Sequence, residues 1–109
     1  MQRMGQIIGI DPTRIAEYRK EHAVVWPGVL ARITACNIRN YTIFLKEPEN
    51  LLFAYFEYTG TDFSADMAKM AEDPTTQEWW KLCSPMQRAL ETGKDGEWWA
   101  MMEPVFHHD

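Results

Sequence analysis

The chain has 109 residues, the size of one domain and too short for two independent cores. Its composition, 46% hydrophobic and 25% charged, is that of a globular protein, and a net charge of −5 argues against a nucleic-acid binder. No apolar run approaches the roughly 20 residues of a membrane span, and the first residues lack the long apolar stretch of a secretory signal.

Gln6–Ile10 reads as a short strand. Asp11-Pro12 then marks a helix start, with Asp as the N-cap and Pro in the first turn. The helix runs from Thr13 to about His22 and is interrupted at Trp26-Pro27, because a residue before proline is biased away from the helical region. A second helical piece from Pro27 to about Cys36 carries Val29, Leu30 and Ile33 on one stripe, and Asn37 is its expected stop. Ile38–Leu45 and Leu51–Tyr58 are strand-like, and the polar turn Lys46–Asn50 joins them into a hairpin. Thr61-Asp62 opens a helix to about Glu72, with Phe63, Met67 and Met70 as its buried stripe. Asp73-Pro74 ends it and starts a further piece, from Thr75 to about Arg88. After a turn-rich loop, Glu91–Gly96, the segment Trp98–His107 is expected as a final apolar strand, with Pro104 marking an edge or a bulge.

The order β-α-β-β-α-β, with both helices broken by prolines, predicts an α+β ferredoxin-like sandwich over the single domain 1–109. Helices cover one sheet face in that arrangement. Yet the hairpin is apolar on both: Leu51, Phe53 and Tyr55 on one side, Leu52, Ala54 and Phe56 on the other. A half-exposed antiparallel sheet ordinarily alternates apolar with polar. The second apolar face therefore predicts a homodimer, a ligand pocket, or both.

Several residues could carry chemistry. Tyr18 and His22 are one turn apart on one helix face, with Trp26 a further four residues on. A phenol and an imidazole together suit acid–base work on a hydroxylated substrate. Spacing alone also fits a helix-end histidine beside a core tyrosine, and favours that reading. Five tryptophans are present, four of them as the pairs Trp79-Trp80 and Trp98-Trp99. Adjacent helix residues diverge by about 100 degrees, so Trp79 and Trp80 should differ in role, one facing the core and one a cavity. Tyr41 fits either a pocket or sheet packing, with packing favoured. Cys36 and Cys83 lack ligand spacing and read as reduced thiols in a cytosolic protein. His107 and His108 are adjacent on a strand-like segment, so they point apart and do not suggest a metal site.

An ordered set of segments resembles the L-rhamnose mutarotase family nearly end to end. It comprises Asp11-Pro12, the helix from Glu17-Tyr18-Arg19 to His22, Val25-Trp26-Pro27, Asn40-Tyr41 with Ile43-Phe44-Leu45, Leu51–Ala54, Gln77-x-Trp79-Trp80 and Glu103-x-Val105-Phe106. The resemblance implies a dimeric α/β barrel of ferredoxin-like subunits. It also implies interconversion of the α and β anomers of a 6-deoxy-L-sugar, without metal or cofactor. His22 would be the catalytic acid/base, and Tyr18, Tyr41, Trp79 and Trp80 the sugar-binding residues. Two features depart from the family pattern: Pro104 stands at an acidic position, and Gly93–Trp99 differs from the rhamnose-specific form. They leave the sugar open between L-rhamnose and L-fucose. Two other readings compete on the same fold, a cofactor-independent monooxygenase and a non-catalytic ligand-binding dimer. The Tyr18–His22 and Trp79-Trp80 pairs favour a polar sugar over a flat aromatic substrate.

Overall fold

The computed structural model describes residues 1–109. One curled antiparallel sheet carries four helices. Strand β1 (Gln2–Ile10) leads through a 3-10 turn, Pro12–Arg14, into α1 (Ile15–Ala23) and then α2 (Pro27–Ala35). The hairpin β2 (Ile38–Lys46) and β3 (Leu51–Tyr58) follows, then α3 (Phe63–Glu72) and α4 (Pro74–Cys83). A second 3-10 turn, Ser84–Met86, delivers the short β4 (Gln87–Arg88), and β5 (Ala100–Met102) closes the order. The sheet runs β2-β3-β1-β4, with β5 also on β1.

The expected boundaries rest on identifiable caps. Asp11 accepts from the Thr13 amide, Asp62 from that of Ala65 and Asp73 from that of Thr76. Each satisfies a backbone donor that a helix start leaves without an internal partner. Asn37, after α2, takes a left-handed φ of 67° and turns the chain into β2, a conformation asparagine tolerates better than most residues.

Four expectations need correction. The first strand begins at Gln2, earlier than expected, because it pairs along its length with β3 from Gln2↔Tyr58 to Gly9↔Leu51. The last helical piece stops at Cys83, where Ser84-Pro85 turns the chain and frees Gln87 and Arg88 for the sheet. The expected strand Trp98–His107 shrinks to Ala100–Met102. Pro104 has no amide hydrogen for a ladder, and β4 already pairs with Gly9 and Ile10, so β5 takes only Gly5–Ile7. Leu30, placed on the buried stripe of α2, is exposed, whereas Val29 is buried.

The hairpin's two faces separate cleanly. Leu52, Ala54, Phe56 and Tyr58 are buried on the helix side, and their alternates are only partly covered. Ile8, Ile10 and Leu52 pack with Ile15 and Tyr18 of α1 and with Met86. Farther along the sheet, Ile38 and Phe56 meet Cys36 and Met70, flanked by Ile33, Phe63 and Met67. Val29, Trp79 and Cys83 join α2 to α4. No helix is long and apolar enough to cross a membrane.

Candidate active site

The site grows from one face of α1. Tyr18 and His22 are one turn apart, and their rings stack at 4.0 Å and 20°. Trp79 of α4 closes on the edge of His22 at 5.1 Å, and Trp26 stands edge-on to Trp79 at 5.2 Å. The imidazole is thus held between a phenol and an indole. Its Nδ1 lies 2.9 Å from the Tyr18 carbonyl oxygen. A carbonyl can only accept, so Nδ1 carries the proton and Nε2 of the neutral ring keeps its lone pair. Burial lowers the His22 pKa below 6.5, against smaller raising effects of the Tyr18 carbonyl and Glu21. The ring is therefore a neutral base at physiological pH.

Tyr41 reaches the same side of the sheet because β2 is bulged. Arg39 pairs with Glu57 and Thr42 with Tyr55, so Asn40 and Tyr41 together oppose Phe56. A bulge of this kind re-aims a side chain. The Tyr41 ring packs 5.5 Å from that of Phe56, which lies on the helix-covered face. The residue is 39% exposed, yet burial of its hydroxyl, with Cys83 nearby, pushes the phenol up to about 12. Burial likewise raises the Tyr18 phenol, and burial pushes the Cys83 thiol up to about 12. All three groups stay protonated at neutral pH, and Cys83 is an unreactive thiol.

The tryptophan pair splits. Trp79 is 7% exposed and belongs to the His22 cage, while Trp80 is 42% exposed. Trp80 lines an open depression of about 610 Å3 with Gln77, Lys81, Ser84 and Pro85. Tyr18, His22 and Trp79 are thus in contact, the Tyr41 phenol lies close enough to Tyr18 to help raise its pKa, and Trp80, the next residue on α4, lines the open depression. At the C-terminus, His107 pairs with the Asp109 carboxylate and His108 with the Asp109 main-chain carbonyl.

Comparison with known proteins places the chain in a family. A sequence model of the L-rhamnose mutarotase family matches residues 3–108. The chain belongs to the L-rhamnose mutarotase family. It is thereby an isomerase of the anomer-interconverting type. The L-rhamnose mutarotase of Oceanobacillus iheyensis is 33% identical over 109 residues, covering all of both chains. That of Listeria monocytogenes is 35% identical over 89 residues, which span 82% of this chain and 83% of the relative. The crystal structure of an L-rhamnose mutarotase from Formosa agariphila superposes over the full length of both chains with a TM-score of 0.79 at 18% identity, a likeness of fold.

Within this mutarotase fold, two polar side chains at the site escaped sequence reasoning. Gln87 Nε2 donates to the Tyr18 hydroxyl at 3.2 Å, and Trp98 Nε1 donates to Gln87 Oε1 at 2.8 Å. Gln87 lies 69 residues from Tyr18 in sequence and falls in no motif, so nothing local marks it. Trp98 was visible as half of the second Trp pair, but its contact depends on how the loop before β5 returns.

Proposed function

We propose that this protein interconverts the α and β anomers of a 6-deoxy-L-hexose, L-rhamnose or L-fucose, with His22 as the proton-transferring residue. The observation that carries the reading is the His22 tautomer: Nδ1 is committed to the Tyr18 carbonyl, and Nε2 is left with its lone pair inside an aromatic cage. Nε2 takes the proton from the anomeric O1–H while water or a site phenol donates a proton to the ring oxygen, and the C1–O5 bond breaks. Rotation about C1–C2 exposes the other face of the aldehyde. On closure the O5 hydroxyl gives its proton back to that donor as it adds to the carbonyl, and Nε2–H returns its proton to O1. The proton count balances, and the step needs no redox partner. Tyr18 and Tyr41 supply hydroxyls for the sugar oxygens. The Trp79-Trp80 pair supplies apolar surface for the C–H face and the methyl group.

The protein acts as a homodimer, a ferredoxin-like subunit pairing into a dimeric α/β barrel. The strand order β2-β3-β1-β4 and the 59% exposure of Phe44, on the face away from the helices, support that assembly. Free, buried Cys36 and Cys83 suit the cytoplasm. Saturation-transfer NMR of anomer exchange tests the activity across L-rhamnose, L-fucose and their D-epimers. Faster exchange of one 6-deoxy-L-sugar supports it. Binding without faster exchange, or oxygen uptake with an aromatic substrate, overturns it.

A further inference from the structure

The Tyr18 hydroxyl is constrained by a chain of hydrogen bonds that begins 80 residues away by number, at Trp98. Gln87 is fixed in the sheet, its backbone paired with Ile10 of β1. Its side-chain amide is held at both ends. The Trp98 indole N–H reaches Oε1 at 2.8 Å, and Nε2 reaches the Tyr18 hydroxyl oxygen at 3.2 Å. An indole nitrogen only donates, so it settles which end of the amide is oxygen. The amide NH2 then faces Tyr18, and an NH2 also only donates. The Tyr18 oxygen is thereby an acceptor in this bond, and its own proton is left for a partner in the site.

We propose that Gln87 and Trp98 are positioning residues that lock Tyr18 as a hydrogen-bond donor towards the sugar, so that it meets an oxygen able only to accept. In a pyranose that oxygen is the ring oxygen, which carries no hydrogen, whereas every hydroxyl can act in either sense. A donor aimed at the ring oxygen also stabilises the charge that grows there as the C1–O5 bond breaks. The loop before β5 thus takes part in the site through Trp98, although Trp98 itself is 42% exposed. The inference rests on the mutarotase reading and adds a polarity to it.

Two substitutions at one position separate polarity from packing. Gln87→Glu keeps an acceptor for Trp98 but presents Tyr18 with a second acceptor, so the phenol proton turns to the carboxylate and is lost to the sugar. Gln87→Met fills similar space and leaves the phenol free to rotate. Sugar affinity from NMR titration should fall in the order wild type, Gln87→Met, Gln87→Glu, each step by about 3- to 10-fold, the scale of one hydrogen bond. A merely structural role predicts the reverse order for the two variants, since Gln87→Glu preserves the bond to Trp98. Lowering the pH to protonate the new carboxyl restores a donor towards Tyr18, so the affinity of Gln87→Glu should rise while that of Gln87→Met does not. Trp98→Phe is the independent handle should Gln87→Glu not fold. It frees the amide to flip and should weaken affinity about 3- to 10-fold without moving Tm. Gln87→Glu affinity equal to or above that of Gln87→Met, or wild-type affinity in Trp98→Phe, overturns the lock while leaving the mutarotase reading in place. A wild-type protein that neither binds nor exchanges these sugars overturns both.

Discussion

Burial and hydrogen bonding pull His22 in opposite directions, and burial wins: the folded pKa lies below 6.5. The base form is therefore present across the neutral range, and the rate of anomer exchange should be flat there and fall only as acid protonates Nε2. His22→Ala should remove that dependence and slow exchange by about 10²-fold or more, the scale of a lost general acid–base group, with sugar binding largely kept. A wild-type exchange rate in the variant would make His22 structural. The same shift has a sign for stability. The unfolded chain binds the proton more readily, so His22 favours folding fully above pH 6.5, and that contribution is lost as the pH falls through the lower folded value. Thermal melts of wild type and His22→Ala between pH 5 and 8, a window of about one unit and a half either side of the ordinary His value, should converge at the acid end. The tryptophan pair gives a second test. Trp79→Ala removes a buried ring that touches His22 and Trp26 and should cost about 3–5 kcal/mol. Trp80→Ala should leave the melt nearly unchanged and mainly weaken sugar affinity. Identical melting and binding in the two variants would sink this division. At this scale the Tyr18–His22 pairing was readable because helix geometry alone makes i and i+4 neighbours. The tautomer was not, because it depends on where one ring nitrogen settles against a carbonyl.

Strand β2 shows what a pattern of apolar and polar residues conceals. Ile38, Ile43 and Leu45 all face the helices, which is possible only if the parity of the strand changes between them, and the bulge at Asn40-Tyr41 makes that change. Asn40 accepts the cost with a φ of 52° and donates from Nδ2 to Glu57 at 2.9 Å. The hairpin limits followed directly from β-rich runs on either side of a polar turn. The bulge left no comparable mark, so Tyr41 read as ordinary packing. Pro104 was a legible warning about the last strand, but the division of the β1 edge between β4 and β5 is a tertiary matter. Asn40→Val places a β-branched side chain at a left-handed position and should destabilise by about 1–3 kcal/mol. It should also lower sugar affinity, by misplacing Tyr41. Asn40→Gly tolerates the same backbone and loses only the bond to Glu57, so its affinity should stay close to wild type. Equal losses of affinity in the two variants would show that the bulge does not aim Tyr41.

For the molecule as a whole, the sheet face away from the helices sets the remaining expectation. An apolar excess on both hairpin faces was legible from Leu51 to Phe56, but which face the helices take was not, because alternation is symmetric until one set is buried. The helices cover Leu52, Ala54 and Phe56, which leaves Leu51, Phe53 and Tyr55 only partly covered, with Phe44 opposite Phe53 on β2. Ile7 of β1 pairs with Phe53 from the other side. A row of this kind, with Phe44 59% exposed, favours association, since a contiguous apolar patch gains by leaving water. We expect light scattering at micromolar concentration to find a dimer, and Tm to rise with protein concentration. Phe44→Glu separates the cases. In a monomer it changes an exposed side chain and should move stability by no more than about 0.5 kcal/mol. In a dimer closed over this face it buries an unpaired carboxylate, so the species should shift to monomer and the concentration dependence of Tm should vanish. Phe56→Asp, by contrast, strikes the helix-covered core and should unfold the chain at any concentration. A wild-type protein of monomer mass, or a Phe44→Glu variant that remains dimeric with an unchanged Tm, would remove this face as the interface.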